Sequence, residues 1–344
     1  MADKWYEKSG AEGDVAISSR IRLARNLNGY PFPHMLNLQQ KNEIANKVKD
    51  ALENSNSYIA KTFRFINMSQ LLPVEANSLA ERHIISPEFA RNRAGKYLLL
   101  TEDESVSIMI NEEDHLRIQV LSDGLSLNSA FEVADKIDTL LDNALGFAFH
   151  GKLGYLTQCP TNLGTGLRAS VMLHLPALQS SGVINRLEDN LSKIGLTLRG
   201  TFGEGSDPQV GMYQLSNQVT LGLSEETAIE NLRSVTMQII GNEREARTQL
   251  CKRIETKDYI MRCLGTLKYA LMINNKENLS LLSAVRMGVA EKIIDDITLD
   301  SINTLMVELQ PSTLTQNAGK ELTPQQRDEL RADLVKKQFI LGAV

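Results

Sequence analysis

Apolar and polar residues alternate along several short segments in the first two thirds of the chain, and this alternation predicts half-buried β-strands. The predicted strands span residues 15–23, 97–100, 105–110, 115–121, 154–157, 169–175, 196–201 and 211–215. The three strands between residues 97 and 121 follow one another with only short turns, as antiparallel neighbours do.

Helical spacing appears at 39–52, at 129–145 and over most of 176–194. After Ser224 the pattern is helical almost throughout, over 225–255, 257–273, 279–299 and 300–309. Ser224 and Thr323 are typical N-cap residues, the second followed by a proline. Strands in succession with separate helices predict an α+β fold, in which an antiparallel sheet is flanked by helices. We expect a catalytic domain at 1–223 and an all-helical C-terminal domain at 224–344.

Composition narrows the function classes. The 344 residues are 42% hydrophobic and 23% charged, and the net charge of −5 gives no case for nucleic acid as the main ligand. No apolar run approaches the roughly 20 residues that span a bilayer, so no membrane association is expected. Residues 1–7 lack the apolar core of a signal peptide, which favours a cytoplasmic location. The three cysteines indicate neither a zinc site nor a disulfide framework.

Residues 111–117 read Asn-Glu-Glu-Asp-His-Leu-Arg and form a charged turn between two predicted strands. Charges placed between strands are costly unless a ligand or partner neutralises them. Carboxylates suit a cation, and an arginine suits an anion. The turn is therefore typical of a transfer between a cationic acceptor and an anionic donor.

Arg20 and Arg22 alternate along the first predicted strand and so share one face. Two adjacent guanidinium groups can hold a polyphosphate through bidentate hydrogen bonds. A solvated strand face paired with surface acids explains the same spacing equally well.

Two loops add further candidates. Residues 157–170 form a turn rich in Gly, Pro, Thr and Asn that contains Cys159 and Arg168, and such loops can offer N–H groups to an anion. By spacing alone, a tight turn with a small buried cysteine is the simpler interpretation. Residues 199–207 carry glycines at 200, 203 and 205 with Glu204 and Asp207, an acidic loop able to close over a cation. No spacing of His, Asp and Glu indicates a protein-held metal.

Taken together, these segments resemble the phosphagen (guanidino) kinase family. The matching strings lie at 19–22, 29–32, 111–117, 156–170, 199–201 and 213–217, so the resemblance covers roughly residues 14–225. Small-substrate members carry a helical domain of about a hundred residues before the arginine strand. Here about eighteen residues precede it, and a helical region follows the catalytic part. In both features the chain resembles the bacterial protein-arginine kinases. The resemblance implies ATP-dependent phosphorylation of arginine side chains in proteins as the expected activity.

The resemblance implies ATP and Mg²⁺ as cofactors and a role for each matching residue. The expected nucleotide-binding residues are Arg20, Arg22, His83, Arg117, Arg168 and Arg199, with His83 near the base. The expected catalytic residues are Glu113, which grips the acceptor guanidinium, and Cys159 beside it. The second clamping acid is either Glu204 or Asp207. Phe202 stands where small-substrate members carry a further arginine.

In the C-terminal region, residues 323–331 resemble the phosphoarginine-sensing segment of protein-arginine kinases, with Arg327 for the phosphate and Asp328 for the guanidinium. An ordinary capped helix with surface charges is the alternative. The resemblance also implies a homodimer, protein substrates with exposed arginines, a zinc-containing activator protein, a heat-shock repressor as substrate and a Clp ATPase/protease that degrades marked proteins under stress. A kinase for a free guanidino compound such as arginine, and an inactive adaptor, remain alternatives.

Overall fold

The computed structural model describes residues 4–55, 57, 59–200 and 210–340. Its strands are β1 (Ala16–Arg25), β2 (Arg64–Asn67), β3 (Tyr97–Leu100), β4 (Val106–Ile110), β5 (Leu116–Asp123), β6 (Phe149–His150), β7 (Gly154–Tyr155), β8 (Leu167–His174), β9 (Leu196–Gly200) and β10 (Met212–Asn217). Its α-helices are α1 (Leu38–Glu53), α2 (Pro73–Glu81), α3 (Pro87–Arg91), α4 (Leu127–Leu145), α5 (Pro176–Ser180), α6 (Ile184–Ser192), α7 (Glu225–Leu250), α8 (Ile254–Tyr269), α9 (Asn275–Ala290), α10 (Leu299–Glu308), α11 (Pro311–Asn317) and α12 (Pro324–Ile340).

Within the described residues, one sheet has the strand order β2-β3-β4-β5-β1-β8-β10-β9. Every pairing in it is antiparallel. The predicted α+β fold with an antiparallel sheet is therefore confirmed. The β1 strand lies in the middle, between β5 and β8, so its side chains have neighbours on both sides.

The two faces of this sheet differ because side chains alternate along each strand. Ile21 and Leu23 of β1 point into a core that contains apolar residues of β5, β8, α1, α4 and α7. Arg20 and Arg22 occupy the alternate positions and so lie on the opposite face. Helices thus cover one face with apolar side chains and leave the other face polar at its centre.

The helix starts follow their capping residues. The Ser224 side chain accepts a hydrogen bond from the Thr227 N–H, and α7 begins at Glu225 as predicted. The Thr323 hydroxyl accepts from the Gln326 N–H at 3.3 Å, and α12 begins at Pro324. Such side-chain oxygens satisfy N–H groups that the helix itself leaves unpaired.

The helical C-terminal part has its own apolar core, built mainly by α8, α9, α10 and α12. Helix α7 differs from these, because its buried residues Leu232, Ile239 and Ile240 belong to the core of the sheet. The two cores are joined by buried polar contacts, of which Arg286 of α9 makes several. Its guanidinium donates to the carbonyl oxygens of Gly13 and Asp14, just before β1.

Some predicted elements differ from the structure. The helix expected over 176–194 is divided into α5 and α6 at a turn where Gly182 has a φ of +71°. The helix expected over 225–255 ends at Leu250. Residues 154–157 contribute only the two-residue β7, which pairs with β6 outside the main sheet. Strand β2 and helices α2, α3 and α11 were not predicted, since each is short.

No helix among the described residues is long and apolar enough to cross a membrane.

Candidate active site

Four arginines lie together on the polar face of the sheet. Arg22 of β1 is directly opposite Arg168 of β8 and opposite Gln119 of β5. Arg117 lies two positions from Gln119 on β5, and Arg20 two positions from Arg22 on β1, so all four share this face. The strand register thus brings together residues up to 148 positions apart in the chain.

These guanidinium groups repel one another. Burial lowers the pKa of Arg20 to about 10, with further lowering by Arg117 and Arg168. Burial also lowers the pKa of Arg22, and the positive charges of Arg20, Arg117 and Arg168 add to this effect. Among the described residues, the Nε atoms of Arg22 and Arg168 are buried without a hydrogen-bond partner. A cluster of four guanidinium groups, two of which have an unpartnered Nε, suits a polyanion.

Side chains of the same protein hold Arg20 and Arg117 in place. Arg20 donates to the Gln214 side-chain oxygen at 2.7 Å. Arg117 forms ion pairs with Glu112 at 2.6 Å and with Glu113 at 3.2 Å. Because the side chain of Glu112 is only 6% exposed, this pair is poorly screened by solvent. It fixes the direction of the Arg117 guanidinium.

The larger cavity on this face has a volume of about 570 Å³. Arg20, Arg22 and Arg117 line it together with His83. His83 adopts a left-handed conformation with a φ of +61°. Burial and the nearby Arg20 lower the pKa of His83 to about 4, so its imidazole is neutral at pH 7. A cavity of this size is within the range of small-molecule sites.

The smaller cavity has a volume of about 250 Å³ and adjoins the larger one, because Arg22 and Arg117 line both. Glu113, Cys159 and Arg168 also line it. One cavity is therefore rich in cations, and its neighbour adds a carboxylate and a thiol. This is the arrangement that a group transfer between two bound reactants requires.

The turn between β4 and β5 positions Glu113. Asn111 has a φ of +63°, and its side-chain amide donates to the carbonyl oxygens of Lys41 and Gly95. Asn tolerates this left-handed conformation better than most residues. On the other side of Glu113, Asp114 accepts hydrogen bonds from the Asn26 side chain at 2.6 Å and the Gln158 N–H at 2.8 Å. Asp114 thus links the charged turn to the loop that carries Cys159.

The Cys159 loop is held against the strand ends. The Cys159 sulfur lies 3.1 Å from the Thr161 hydroxyl oxygen. Thr220 donates to the carbonyl oxygens of Thr161 and Leu163 at 3.0 and 2.7 Å. Gly164 has a φ of +111°, and a Cβ there would lie 2.2 Å from the Thr220 carbonyl oxygen. Only glycine permits this close approach.

Arg199 does not line either cavity but lies at the edge of the same polar face. Arg199 is opposite Gln214 in the β9–β10 pair and is exposed, and its charge contributes to the lowered pKa of Arg168, after burial. Glu204 and Asp207 lie outside the described residues. Arg327 and Asp328 are on α12 and do not line either cavity.

Sequence reasoning missed one part of the larger cavity. Its lining includes Asn77 and Glu81 of α2 and Gln310 and Ser312 near the start of α11. No motif marks these residues, and the two helices are more than 200 positions apart. Only tertiary packing brings them to the same cavity.

Two family models match successive parts of the chain. Residues 43–246 match the family described as ATP:guanido phosphotransferase, C-terminal catalytic domain. Residues 253–342 match the family described as protein-arginine kinase McsB C-terminal domain.

Individual relatives extend the similarity over nearly the whole chain. A protein-arginine kinase of Halothermothrix orenii is 48% identical over 97% of this chain and 96% of its own length. A protein-arginine kinase of Brevibacillus brevis is 45% identical over 97% of this chain and 94% of its own length.

Solved structures of kinases share the fold. The duplicated taurocyamine kinase of Schistosoma mansoni, with bound transition-state analogue components, gives a TM-score of 0.61 at 26% identity. That match covers 71% of this chain and 34% of the duplicated one. A lombricine kinase gives a TM-score of 0.59 at 25% identity and covers 69% of this chain and 68% of that one.

Proposed function

The chain belongs to the ATP:guanido phosphotransferase family, and from this premise we propose that it is a protein-arginine kinase. It transfers the γ-phosphoryl group of ATP to an arginine side chain of a protein, giving phosphoarginine and ADP. The observation that carries the proposal is the pair of adjoining cavities that share Arg22 and Arg117.

The larger cavity receives ATP. Arg20, Arg22, Arg117 and Arg168 neutralise its phosphates, and the unpartnered Nε atoms of Arg22 and Arg168 supply hydrogen bonds to phosphate oxygens. Arg199 of β9 adds positive charge at the edge of the site. His83 is placed near the base. Mg²⁺, which the phosphates and water would hold, supplies additional charge neutralisation.

The smaller cavity receives the guanidinium of the acceptor arginine. This group is a poor nucleophile because its lone pairs are delocalised and it carries a proton. The Glu113 carboxylate orients one nitrogen and accepts a proton from it. Cys159 lies beside the guanidinium, where its sulfur assists electrostatically. Either Glu204 or Asp207 serves as the second clamping acid.

The transfer step needs alignment and charge stabilisation more than covalent help from the protein. The nitrogen lone pair forms a bond to the γ-phosphorus as the bond to the bridging oxygen of ADP breaks. The negative charge on ADP is stabilised by the arginines, and the guanidinium proton passes to Glu113. The shared Arg22 and Arg117 hold the γ-phosphoryl group at the boundary between the two reactants.

The C-terminal part binds phosphoarginine. On α12, Arg327 would pair with the phosphate and Asp328 with the guanidinium. The carboxylate of Asp328 already contacts Arg331 at 2.6 Å. The guanidinium of Arg327 donates to the Leu322 carbonyl oxygen at 3.0 Å. We place the catalytic domain at 1–223 and the helical domain at 224–344, with α7 packed against the catalytic core.

Similarity to the bacterial enzymes supports a wider role in protein quality control. Phosphoarginine would mark proteins for a Clp-type protease under stress, and a heat-shock repressor would be one substrate. A zinc-containing activator and a homodimeric state complete the proposal. The free thiols of Cys159, Cys251 and Cys263 fit a reducing cytoplasm.

One experiment tests the activity. The protein is incubated with Mg·ATP and an unfolded arginine-rich protein, and the products are analysed by mass spectrometry without acid, because the phosphorus–nitrogen bond is acid-labile. A matched substrate in which lysine replaces every arginine serves as the control. Phosphoarginine on the first substrate alone is the expected result. Phosphorylation of free arginine but not of protein would overturn the proposal in favour of a small-substrate kinase.

A further inference from the structure

The larger cavity is built from two distant parts of the chain. The sheet arginines form one side, and α2 with the first turn of α11 forms another. Helix α11 belongs to the helical C-terminal part, whereas the arginines belong to the sheet. The cavity assigned to ATP is therefore incomplete without the C-terminal helices.

The direction of a nucleotide in this cavity follows from which residues the two cavities share. Arg22 and Arg117 line both, so the phosphate that is transferred lies beside them. Of these two cavities, Asn77, His83 and Ser312 line only the larger one, and none of them lies on β1, β5 or β8, the strands that carry the four arginines. With the phosphates against the arginines, the nucleoside is the part of the ligand left for these three residues to contact.

Glu81 holds the start of α11 against this cavity. Its carboxylate accepts hydrogen bonds from the Ser312 N–H at 2.9 Å, the Thr313 N–H at 2.7 Å and the Thr313 hydroxyl at 2.9 Å. Hydrogen bonds to an ionised acceptor are about twice as strong as neutral ones. Since these N–H groups are occupied, α11 offers side chains rather than its backbone to a ligand.

Other contacts hold the residues directly before α11 in place. Arg331 of α12 donates to the Leu309 carbonyl oxygen at 3.0 Å, two residues before α11 begins. The Gln310 amide donates to the Met306 carbonyl oxygen and accepts from Asn275, so its polar atoms are already used. The Ser312 hydroxyl donates no hydrogen bond to any described residue.

We infer that the Ser312 hydroxyl hydrogen-bonds the nucleoside part of ATP and that Glu81 is the positioning residue that holds Ser312 in place. Nucleotide affinity then depends on the C-terminal helical part. The inference deepens the proposed function and rests on it only in taking the larger cavity as the ATP site.

Calorimetric titration of the full-length protein tests this, with Mg·ADP and with inorganic pyrophosphate as separate probes. Ser312→Ala removes one neutral hydrogen bond and raises the Kd for Mg·ADP about two- to tenfold. Its Kd for pyrophosphate does not change, because pyrophosphate has no nucleoside. Glu81→Gln likewise raises the Kd for Mg·ADP without changing the Kd for pyrophosphate, and it raises KM for ATP while kcat at saturating ATP stays the same.

Glu75→Gln is the matched control. Glu75 accepts a hydrogen bond from the Leu72 N–H at 2.7 Å at the opposite end of α2 and does not line the larger cavity. This variant loses a comparable carboxylate hydrogen bond to a backbone N–H but keeps the wild-type Kd for Mg·ADP. A general loosening of α2 would instead weaken binding in both glutamate variants.

Two results would overturn the inference. The first is an unchanged Kd for Mg·ADP in either Ser312→Ala or Glu81→Gln. The second is an equal loss of affinity for Mg·ADP and pyrophosphate, which would place the effect at the phosphates. The titration contains no acceptor, so a wild-type protein that binds Mg·ADP but forms no phosphoarginine would contradict the proposed function alone.

Discussion

The guanidinium groups of Arg20, Arg22, Arg117 and Arg168 are the main electrostatic feature of the site. They share one face of the sheet, and burial with mutual repulsion lowers the pKa of Arg20 and Arg22. Repulsion of this kind lowers the stability of the ligand-free protein. In the proposed function, the nucleotide phosphates would offset this repulsion on binding. Stability and nucleotide binding would then place opposite demands on these residues.

Arg22→Gln should separate these two demands. The substitution removes the most crowded charge, so we expect the ligand-free protein to gain on the order of 1 kcal/mol in free energy of unfolding. We expect Mg·ATP binding to weaken at least tenfold, since a charge-assisted contact to phosphate is lost. Urea denaturation and calorimetry measure the two effects. Arg233→Gln, at an exposed ion pair with Glu230, is the control and should change neither the free energy of unfolding nor Mg·ATP affinity. A lower stability of the Arg22→Gln protein would contradict the argument.

Glu113→Gln tests the proposed proton acceptor. The amide keeps the shape of the side chain but cannot take a proton, so kcat should fall about 100-fold or more. Binding of Mg·ADP should remain, because Glu113 lines the smaller cavity and not the larger one. The initial rate of phosphoarginine formation provides the measurement. Glu102→Gln on an exposed turn is the control, and an undiminished rate for Glu113→Gln would exclude the general-base role.

At the scale of elements, the loop before β1 connects the sheet with the C-terminal helices. Asp14 accepts hydrogen bonds from Arg244 and Arg247 of α7. Arg286 of α9 binds the backbone of the same loop. Burial alone would raise the pKa of Asp14, but the two arginines of α7 outweigh it and hold the pKa at about 2. The ionised form of Asp14 thus contributes to the attachment of this loop.

Asp14→Asn should reveal that contribution. The pKa of Asp14 is about 2 in the folded protein against an ordinary value of 3.8, which corresponds to about 2 kcal/mol of stability. Because the pKa is depressed, the contribution is complete above pH 3.8 and disappears as the pH falls through about 2. Urea denaturation of the variant at pH 7 and pH 5 should show the same deficit, and thermal unfolding at pH 3 a smaller one.

Asp50→Asn, at an exposed position of α1, is the control and should change stability by less than about 0.5 kcal/mol. A deficit for Asp14→Asn that grows as the pH falls below 4 would show that the two arginines do not stabilise the carboxylate.

At the scale of the whole molecule, the arginine face of the sheet and the phosphoarginine segment proposed on α12 lie in separate parts of one protein. Arg327 and Asp328 line neither cavity. Helix α12 is nevertheless connected to the larger cavity, because Arg331 binds the Leu309 carbonyl next to α11. In the proposed function, this packing provides a physical connection through which phosphoarginine bound at α12 would influence the larger cavity.

Arg327→Ala tests the second site. Loss of the guanidinium should weaken binding of free phosphoarginine at least tenfold, because a charge-assisted pair with the phosphate is lost. Equilibrium titration with phosphoarginine in the absence of nucleotide gives the affinity. Arg262→Ala, at an exposed pair with Asp258 on α8, should retain the wild-type value. Equal affinities for the wild type, Arg327→Ala and Arg262→Ala would show that Arg327 does not bind phosphoarginine.

Local patterns in the sequence were sufficient for most of the larger elements. Local patterns placed β1 and the three strands from β3 to β5 within two residues of their ends, because β1 and β5 alternate while β3 and β4 are short, mostly apolar runs. The turn at Gly182, which divides α5 from α6, was missed because a single glycine does not decide between a tolerated helical residue and a break. The short β2, α2, α3 and α11 were missed because segments of so few residues carry little periodic signal.

The sequence by itself determined the antiparallel α+β fold, the family and the charged residues of the catalytic face, because strand alternation and unusual local strings are properties of neighbouring residues. Tertiary structure alone decided that Arg22 lies opposite Arg168 and that Ser312 reaches the cavity of Arg20. Those relations depend on strand register and on the packing of α11 against α2, which join residues that no local pattern connects.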